Sequence, residues 1–426
     1  MRVFTNLISS SGSLIIVLSL FISYRFVHIH NNSQNGYNAT TWDALGYYMY
    51  LPSVFIYHDV RELKWMPQID STYHVTGGKM YQAFKYRGNE FYTNKYLCGV
   101  AIIQAPFFIA AHYIAPILNE PQDGFSSPYQ YAILLAAIFW SFLGFVILRK
   151  VLLKYFSDNV TSITILFIAF TSNLIQYISV DGAMSHAFIF PLYAIILWLT
   201  ISWHNRPKSS IAFFIGFIIG LATISRPTEF IMILIPLFWN THSKEFKYLK
   251  WQTVVKNKFQ VLLSLAGGII GILPQLIYWK YTTGKLIIDV GSKWFLLTPW
   301  FRGLFGPEIG WFIYTPVAIL MVLGFFFMKD QPFKKSVIIF CLINIWIIIS
   351  WFDWTFGATY SSRALTQSYP IFALSLASFI NIMVEKKKQI FLYILLGLLT
   401  LLNFYQLSIY NQGILKNFSP LLAFFK

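Results

Sequence analysis

The chain has 426 residues, 57% hydrophobic and 19% aromatic but only 11% charged, where a soluble domain carries about 25% charged residues. Its net charge of +16 would suggest nucleic-acid binding in a soluble protein. Here the cations sit mostly in short loops between apolar runs, where they act as topology signals and as partners of anionic headgroups. These features exclude a string of soluble domains and a nucleic-acid partner. They point to an all-α polytopic membrane protein forming a single transmembrane unit over residues 1–426.

The first apolar run, Leu14 to Ile22, continues through Ser23 to His28 without an A-x-A-like cleavage site, so it reads as an uncleaved span. Further spans are expected near 129–148, 160–179, 184–203, 210–225, 227–240, 259–279, 311–328, 335–352, 366–384 and 389–410, about eleven transmembrane helices with the first at 12–29. The apolar run 97–118 carries Gln104, Pro106, His112 and Pro116, which suit an interfacial or re-entrant helix better than a lipid-facing span.

If that run does not cross and Met1–Arg2 is cytoplasmic, the tight basic clusters fall on one side. They include Arg149/Lys150/Lys154, Arg206/Lys208, Lys244 to Lys258, Lys329/Lys334/Lys335 and Lys386 to Lys388, as the positive-inside rule requires. Residues 30–128 then form a large extracytoplasmic loop of the same unit, rich in Tyr, His and Trp and expected to fold as short juxtamembrane helices. The reading is of an integral protein of a bacterial cytoplasmic membrane with its site on the outer face. Cys98 and Cys341 are too far apart and too few to suggest a disulfide framework or a zinc site.

Ionisable residues gather at the outer helix ends, whereas an ion-coupled transporter should carry carboxylates near the midplane. Asp43 stands in YNATTWDALGYYMY beside Trp42, Tyr47 and Tyr48. The bland reading is a helix cap. The functional one is a general base in an aromatic sugar pocket, its pKa raised by partial desolvation.

Arg226, in ATISRPTEF, offers a guanidinium fork for phosphate. It could instead snorkel to the headgroups or pair with Glu229 one turn on. In FRGLFGPEIGWFIYTP, Arg302, Glu308 and the glycines suggest free backbone amides for an anion, or simply a helix start with proline in its first turn. WFDWTFGATYSSR supplies Asp353 and Arg363, VDGAMSHAF supplies Asp181 and His186, and TNKYLCG places Lys95 at the mouth of the 97–118 helix. No HExxH, CxxC, D-x-D, Walker or GxGxxG pattern is present, so no metal and no cofactor are expected.

With Trp42-Asp43 followed by Tyr47-Tyr48, Asn94-Lys95-Tyr96 ahead of a helix with Ala105-Pro106, SRPTE, and GLFGPEIGWFIYTP, the chain resembles the GT-C class of integral-membrane glycosyltransferases. That class includes protein O-mannosyltransferases and the aminoarabinose transferases of lipid A. It departs from the class where Asp43 is followed by Ala44 rather than a second acid, and where Lys95 is followed by Tyr96 rather than proline. The resemblance implies a polyprenyl-phosphate-linked sugar as donor and inversion at the anomeric carbon. The acceptor would be a glycan, lipid or protein hydroxyl, and membrane lipids would surround the chain. A polysaccharide polymerase or ligase using a lipid-diphosphate donor is the alternative, with a lipid or sugar transporter behind it.

Overall fold

A computed structural model of the chain describes residues 8–31, 39–88, 90–357 and 359–413. The expected cytoplasmic Met1–Arg2 and the start of the first long loop, 32–38, lie outside the described residues. The first helix, α1 (Ser10–Asn31), leads into α2 (Trp42–Tyr48), α3 (Tyr50–Phe55) and α4 (Met66–Tyr73). A small antiparallel hairpin follows, β1 (Ala83–Lys85) and β2 (Tyr92–Asn94), in register Ala83↔Asn94 and Lys85↔Tyr92. The short helices match the expected loop, but the hairpin departs from an all-helical reading.

The remaining helices are α5 (Gly99–Ile114), α6 (Ser127–Leu152), α7 (Asp158–Thr171), α8 (Ser185–Asn205), α9 (Ser209–Thr223), α10 (Leu234–Phe238), α11 (Lys244–Lys256) and α12 (Lys258–Thr283), then the short α13 (Arg302–Phe305), α14 (Trp311–Tyr314) and α15 (Val317–Leu323), and last α16 (Lys334–Ile349), α17 (Tyr369–Glu385) and α18 (Gln389–Asn411). Local chemistry sets several boundaries. Ser157 and Ser243 accept the backbone N–H three residues on, as N-caps do. Gly284, in the left-handed region, closes α12 by donating to the Lys280 carbonyl.

Among the described residues, seven helices are long and apolar enough to cross a membrane, and four shorter apolar helices cover 158–171, 209–223, 227–238 and 317–327. Each expected span therefore has a helix at its place, but the full count of eleven does not follow. Short turns interrupt several apolar runs, such as the π-helical turn Gln176–Val180 after α7.

Hydrogen bonds sort the helix ends. Arg149 at the end of α6 donates to Ser10 at the start of α1 (2.7 Å). Trp203 at the end of α8 donates to Gln260 at the start of α12 (2.7 Å), and Ser336 in α16 donates to the Ile235 carbonyl of α10 (2.8 Å). The basic helix ends thus share one end of the bundle, and the opposite end carries Asp43. By length and composition Gly99–Leu118 is also a candidate span. Its contacts keep it beside the first half of α6, with His112 against Tyr129 (2.6 Å) and the Ile103 carbonyl against Trp140 (3.1 Å).

The tightest helix pair is α9 with α12. A Cβ on Gly216 would overlap the Ser264 carbonyl, and one on Gly271 would sit 2.7 Å from the Phe217 carbonyl oxygen. In lipid, where apolar burial gives no drive, small residues let backbones approach and gain packing contact. Gly216-x3-Gly220 meets Gly267-x3-Gly271 in this way.

Candidate active site

Three chain segments supply partners to the Asp43 carboxylate. Oδ1 accepts from the hydroxyls of Tyr81 (2.9 Å) and Tyr96. Oδ2 accepts from Nη2 of Arg363 at 2.6 Å, a pair of which 27% and 14% of the side chains remain exposed. Asp43 sits in the first turn of α2 and makes no cap there; Thr41 is the N-cap residue.

The local sequence explains how these groups meet. A Cβ on Gly46 would fall inside the Tyr96 ring, so only glycine lets Tyr96 lie over α2 and reach Asp43. Asn94 fixes the approach, donating to the Gly46 carbonyl (2.7 Å) and accepting from the Tyr96 amide (2.9 Å). From the other side, Tyr177 donates to the Tyr360 carbonyl (2.7 Å) and Thr315 meets Ser361 (3.0 Å), anchoring the turn before Arg363. Trp42 (φ 52°) and Ser361 (φ 56°) both have left-handed backbones. Strain of this kind costs about 1–3 kcal/mol per residue and persists where the surroundings over-determine it.

The charge balance differs from the sequence expectation. Burial, the largest single influence, pushes the Asp43 carboxyl up. The Arg363 guanidinium and the hydrogen bonds from Tyr96, Tyr81 and Arg363 together outweigh it, holding the carboxyl below its ordinary range. The expected upward shift is thus reversed by partners that lie far away in sequence. Burial and the Asp43 charge in turn push the Tyr81 and Tyr96 phenols well up, so both stay protonated as donors.

Tyr47 packs edge-on against Tyr96 at 4.9 Å between ring centres. Tyr47 and His186 both lie within electrostatic reach of Arg226, Arg363 and Asp43. Among the described residues Arg226 makes no ion pair. The expected partner, Glu229, is bonded elsewhere: it is buried and accepts from Tyr193, from Gln367 (2.9 Å) and from Thr228 (3.3 Å). Gln367 accepts in turn from His186 Nδ1 (2.7 Å), so His186 braces the turn that carries Arg363. Lys95 is exposed, its ammonium 5.4 Å from the Tyr81 ring centre.

Other expected site residues go elsewhere. Tyr48 is fully buried, donating to the Gly124 carbonyl and packing on Phe108 and Phe125; it is core, because the next position on a helix turns away from its neighbour's face. Asp181 accepts from Gln176 (3.1 Å), which also bonds Asn411 of α18. Arg302 pairs with Glu308 and lies 5.5 Å from the Trp354 ring centre, and Asp353 accepts from Thr355 (2.9 Å). The amides expected to bind an anion are taken: Gly303 donates to Trp300, Gly306 to Arg302 and Gly310 to Gly306. Among the described residues no three His, Cys, Asp or Glu side chains converge as a metal site needs.

Two partners escaped the sequence reading. Tyr81 had no local signal, lying 38 positions from Asp43. Tyr96 stood in the Asn94-Lys95-Tyr96 motif, where the lysine drew attention instead of the phenol.

No family model matches the chain, and no curated protein does. Three solved structures of the oligosaccharyltransferase of Archaeoglobus fulgidus are similar to it. Archaeal oligosaccharyltransferase AglB in complex with an inhibitory peptide and a dolichol-phosphate is 12% identical, with a TM-score of 0.49 over 95% of this chain and 56% of that one. The complex with Zn and sulfate is 14% identical, TM-score 0.48, over 94% and 52%. The apo form is 12% identical, TM-score 0.49, over 97% and 56%. The chain spans about half the length of the structures it matches.

Proposed function

We propose that this protein is a metal-independent, inverting glycosyltransferase. It moves a sugar from a polyprenyl-phosphate carrier to an acceptor hydroxyl at the extracytoplasmic face, with Asp43 as base. One observation carries the reading: a half-buried carboxylate held by two phenols and an arginine, with a second arginine, within electrostatic reach of the neighbouring Tyr47, that makes no ion pair among the described residues.

The acceptor oxygen attacks the anomeric carbon while the bond from that carbon to the phosphate oxygen breaks. The acceptor proton passes to Asp43, and the electron pair leaves with the lipid phosphate. Such a leaving group needs its charge neutralised more than it needs an acid, and Arg226, with Lys95 at the mouth, supplies that charge. Asp43 paired to Arg363 is ionised but a weak base. A phosphate that draws Arg363 away frees Oδ2 and leaves burial as the main influence, which strengthens the base when the donor is present. Trp42, 60% exposed, and Tyr81 offer ring faces beside the carboxylate for the sugar.

The test is transfer of labelled sugar by the purified full chain from synthetic polyprenyl-monophosphate and polyprenyl-diphosphate donors to a membrane acceptor fraction. Transfer from the monophosphate donor, unchanged by chelator, is expected. Transfer from the diphosphate donor alone moves the protein to the polymerase or ligase class. Loss of activity with chelator removes the metal-independent mechanism.

A further inference from the structure

At the end of the bundle away from Asp43, a cavity of about 980 Å³ opens between α9, α12, α10 and α11. Its walls are almost wholly apolar and open outward: Leu265 is 59% and Ile269 64% exposed. Along α12 it runs from Gln260 to Ile272, roughly 18 Å of helix rise. That is close to one leaflet of a bilayer whose hydrocarbon core is about 30 Å thick.

Apart from Ser264 on α12, its polar side chains gather at its basic end. Lys250 is committed, donating to the carbonyls of Pro236, Leu237 and Trp239 (2.6, 2.6 and 2.8 Å) and so closing α10. Lys247 and Lys335 line the same mouth, are exposed, and make no ion pair among the described residues. His204 lines the same end; its Nδ1 bonds the Thr200 carbonyl (2.8 Å), and its Nε2 is buried and unpartnered among the described residues.

We propose that this groove seats one anionic glycerophospholipid of the leaflet opposite the Asp43 site, its phosphate on Lys247 and Lys335 and its acyl chains along α12. The polarity of the groove decides the occupant. A carrier lipid reacting at Asp43 would place its charge at the far end and only hydrocarbon at these lysines. A phospholipid of the near leaflet puts an anion where the two cations stand. The binding site is thus distinct from the transfer site and does not depend on the reaction assigned to it.

The test is native mass spectrometry of the full chain released from nanodiscs made with phosphatidylglycerol, phosphatidylethanolamine or their mixture. One retained phosphatidylglycerol is expected, favoured about tenfold over phosphatidylethanolamine, as two lysines near an anionic headgroup support. Lys247→Glu with Lys335→Glu should abolish the preference. Ile269→Trp, which fills the groove from its exposed face, should remove the retained lipid while the melting temperature in detergent holds. Equal retention of both lipids, retention unchanged by these variants, or displacement of phosphatidylglycerol by added polyprenyl phosphate would each overturn the assignment.

Discussion

Among the described residues, two of the three arginine–carboxylate pairs can be set side by side, Arg302–Glu308 and Arg363–Asp43, and they differ in almost everything that matters. Arg302 and Glu308 are six positions apart, 62% and 36% exposed, and are joined by a turn that needs nothing else to form. Asp43 and Arg363 are 320 positions apart, 27% and 14% exposed, and meet only because α2, the hairpin and the turn before α17 are each tied in place. An exposed local pair contributes about 0–1 kcal/mol. A half-buried pair that the fold must assemble is costly to keep unless its environment or its function repays it. Two pairs alike in composition thus separate into a surface contact and a candidate centre.

The sharpest way to break this contrast is Asp43→Asn. Transfer should fall by about 10²–10⁴-fold, the worth of a positioned base, and full activity in this variant would remove Asp43 as the base. Arg226→Met should lower kcat by about 10²–10³-fold, as loss of one group stabilising developing charge does.

Gly46→Ala forces the Tyr96 ring off Asp43. A loss of about 1–3 kcal/mol in stability is expected from such overpacking, with activity falling alongside; chemical denaturation of the detergent-solubilised protein measures it.

The pH profile tests the balance at the carboxyl. Because the folded pKa of Asp43 is depressed, its contribution to stability is complete above the unfolded value of about 3.9 and is lost as pH falls through the folded value. Tyr81→Phe removes one of the lowering bonds, so the acid limb of kcat/KM should move to higher pH; an unmoved limb would show that Asp43 is not the titrating group. The smallest effect belongs to the other pair: Glu308→Gln should leave transfer within about twofold and stability within about 1 kcal/mol.

The places of the helices were legible because hydrophobic runs and lysine clusters are local signals. So were Asp43, Arg226 and Arg363, as charged residues at apolar boundaries. The partners were not. Nothing near Tyr81 marks it as a donor to Asp43, and nothing near Glu229 shows that Tyr193 and Gln367 occupy it. The Gly303, Gly306 and Gly310 amides looked available because composition cannot show which carbonyls a tight turn brings back to them. Direction of charge was misread for the same reason: burial alone raises a carboxyl pKa, and only the long-range Arg363 contact reverses it.

The glycine seam between α9 and α12 has a mechanical meaning. At 26 residues α12 is roughly 39 Å long, enough to cross the hydrocarbon core with some tilt, which its packing on α9 fixes. Near its far end Gln275 accepts from the Cys98 amide and the Tyr278 hydroxyl accepts from the Asn94 amide (both 2.8 Å), the two residues that bracket Tyr96. Because backbone is locked on backbone, α9 and α12 lean together as one strut. Any change in the tilt of α12 would carry α9 with it and reach the loop beside Asp43 as rotation of a rigid pair rather than as shear between helices.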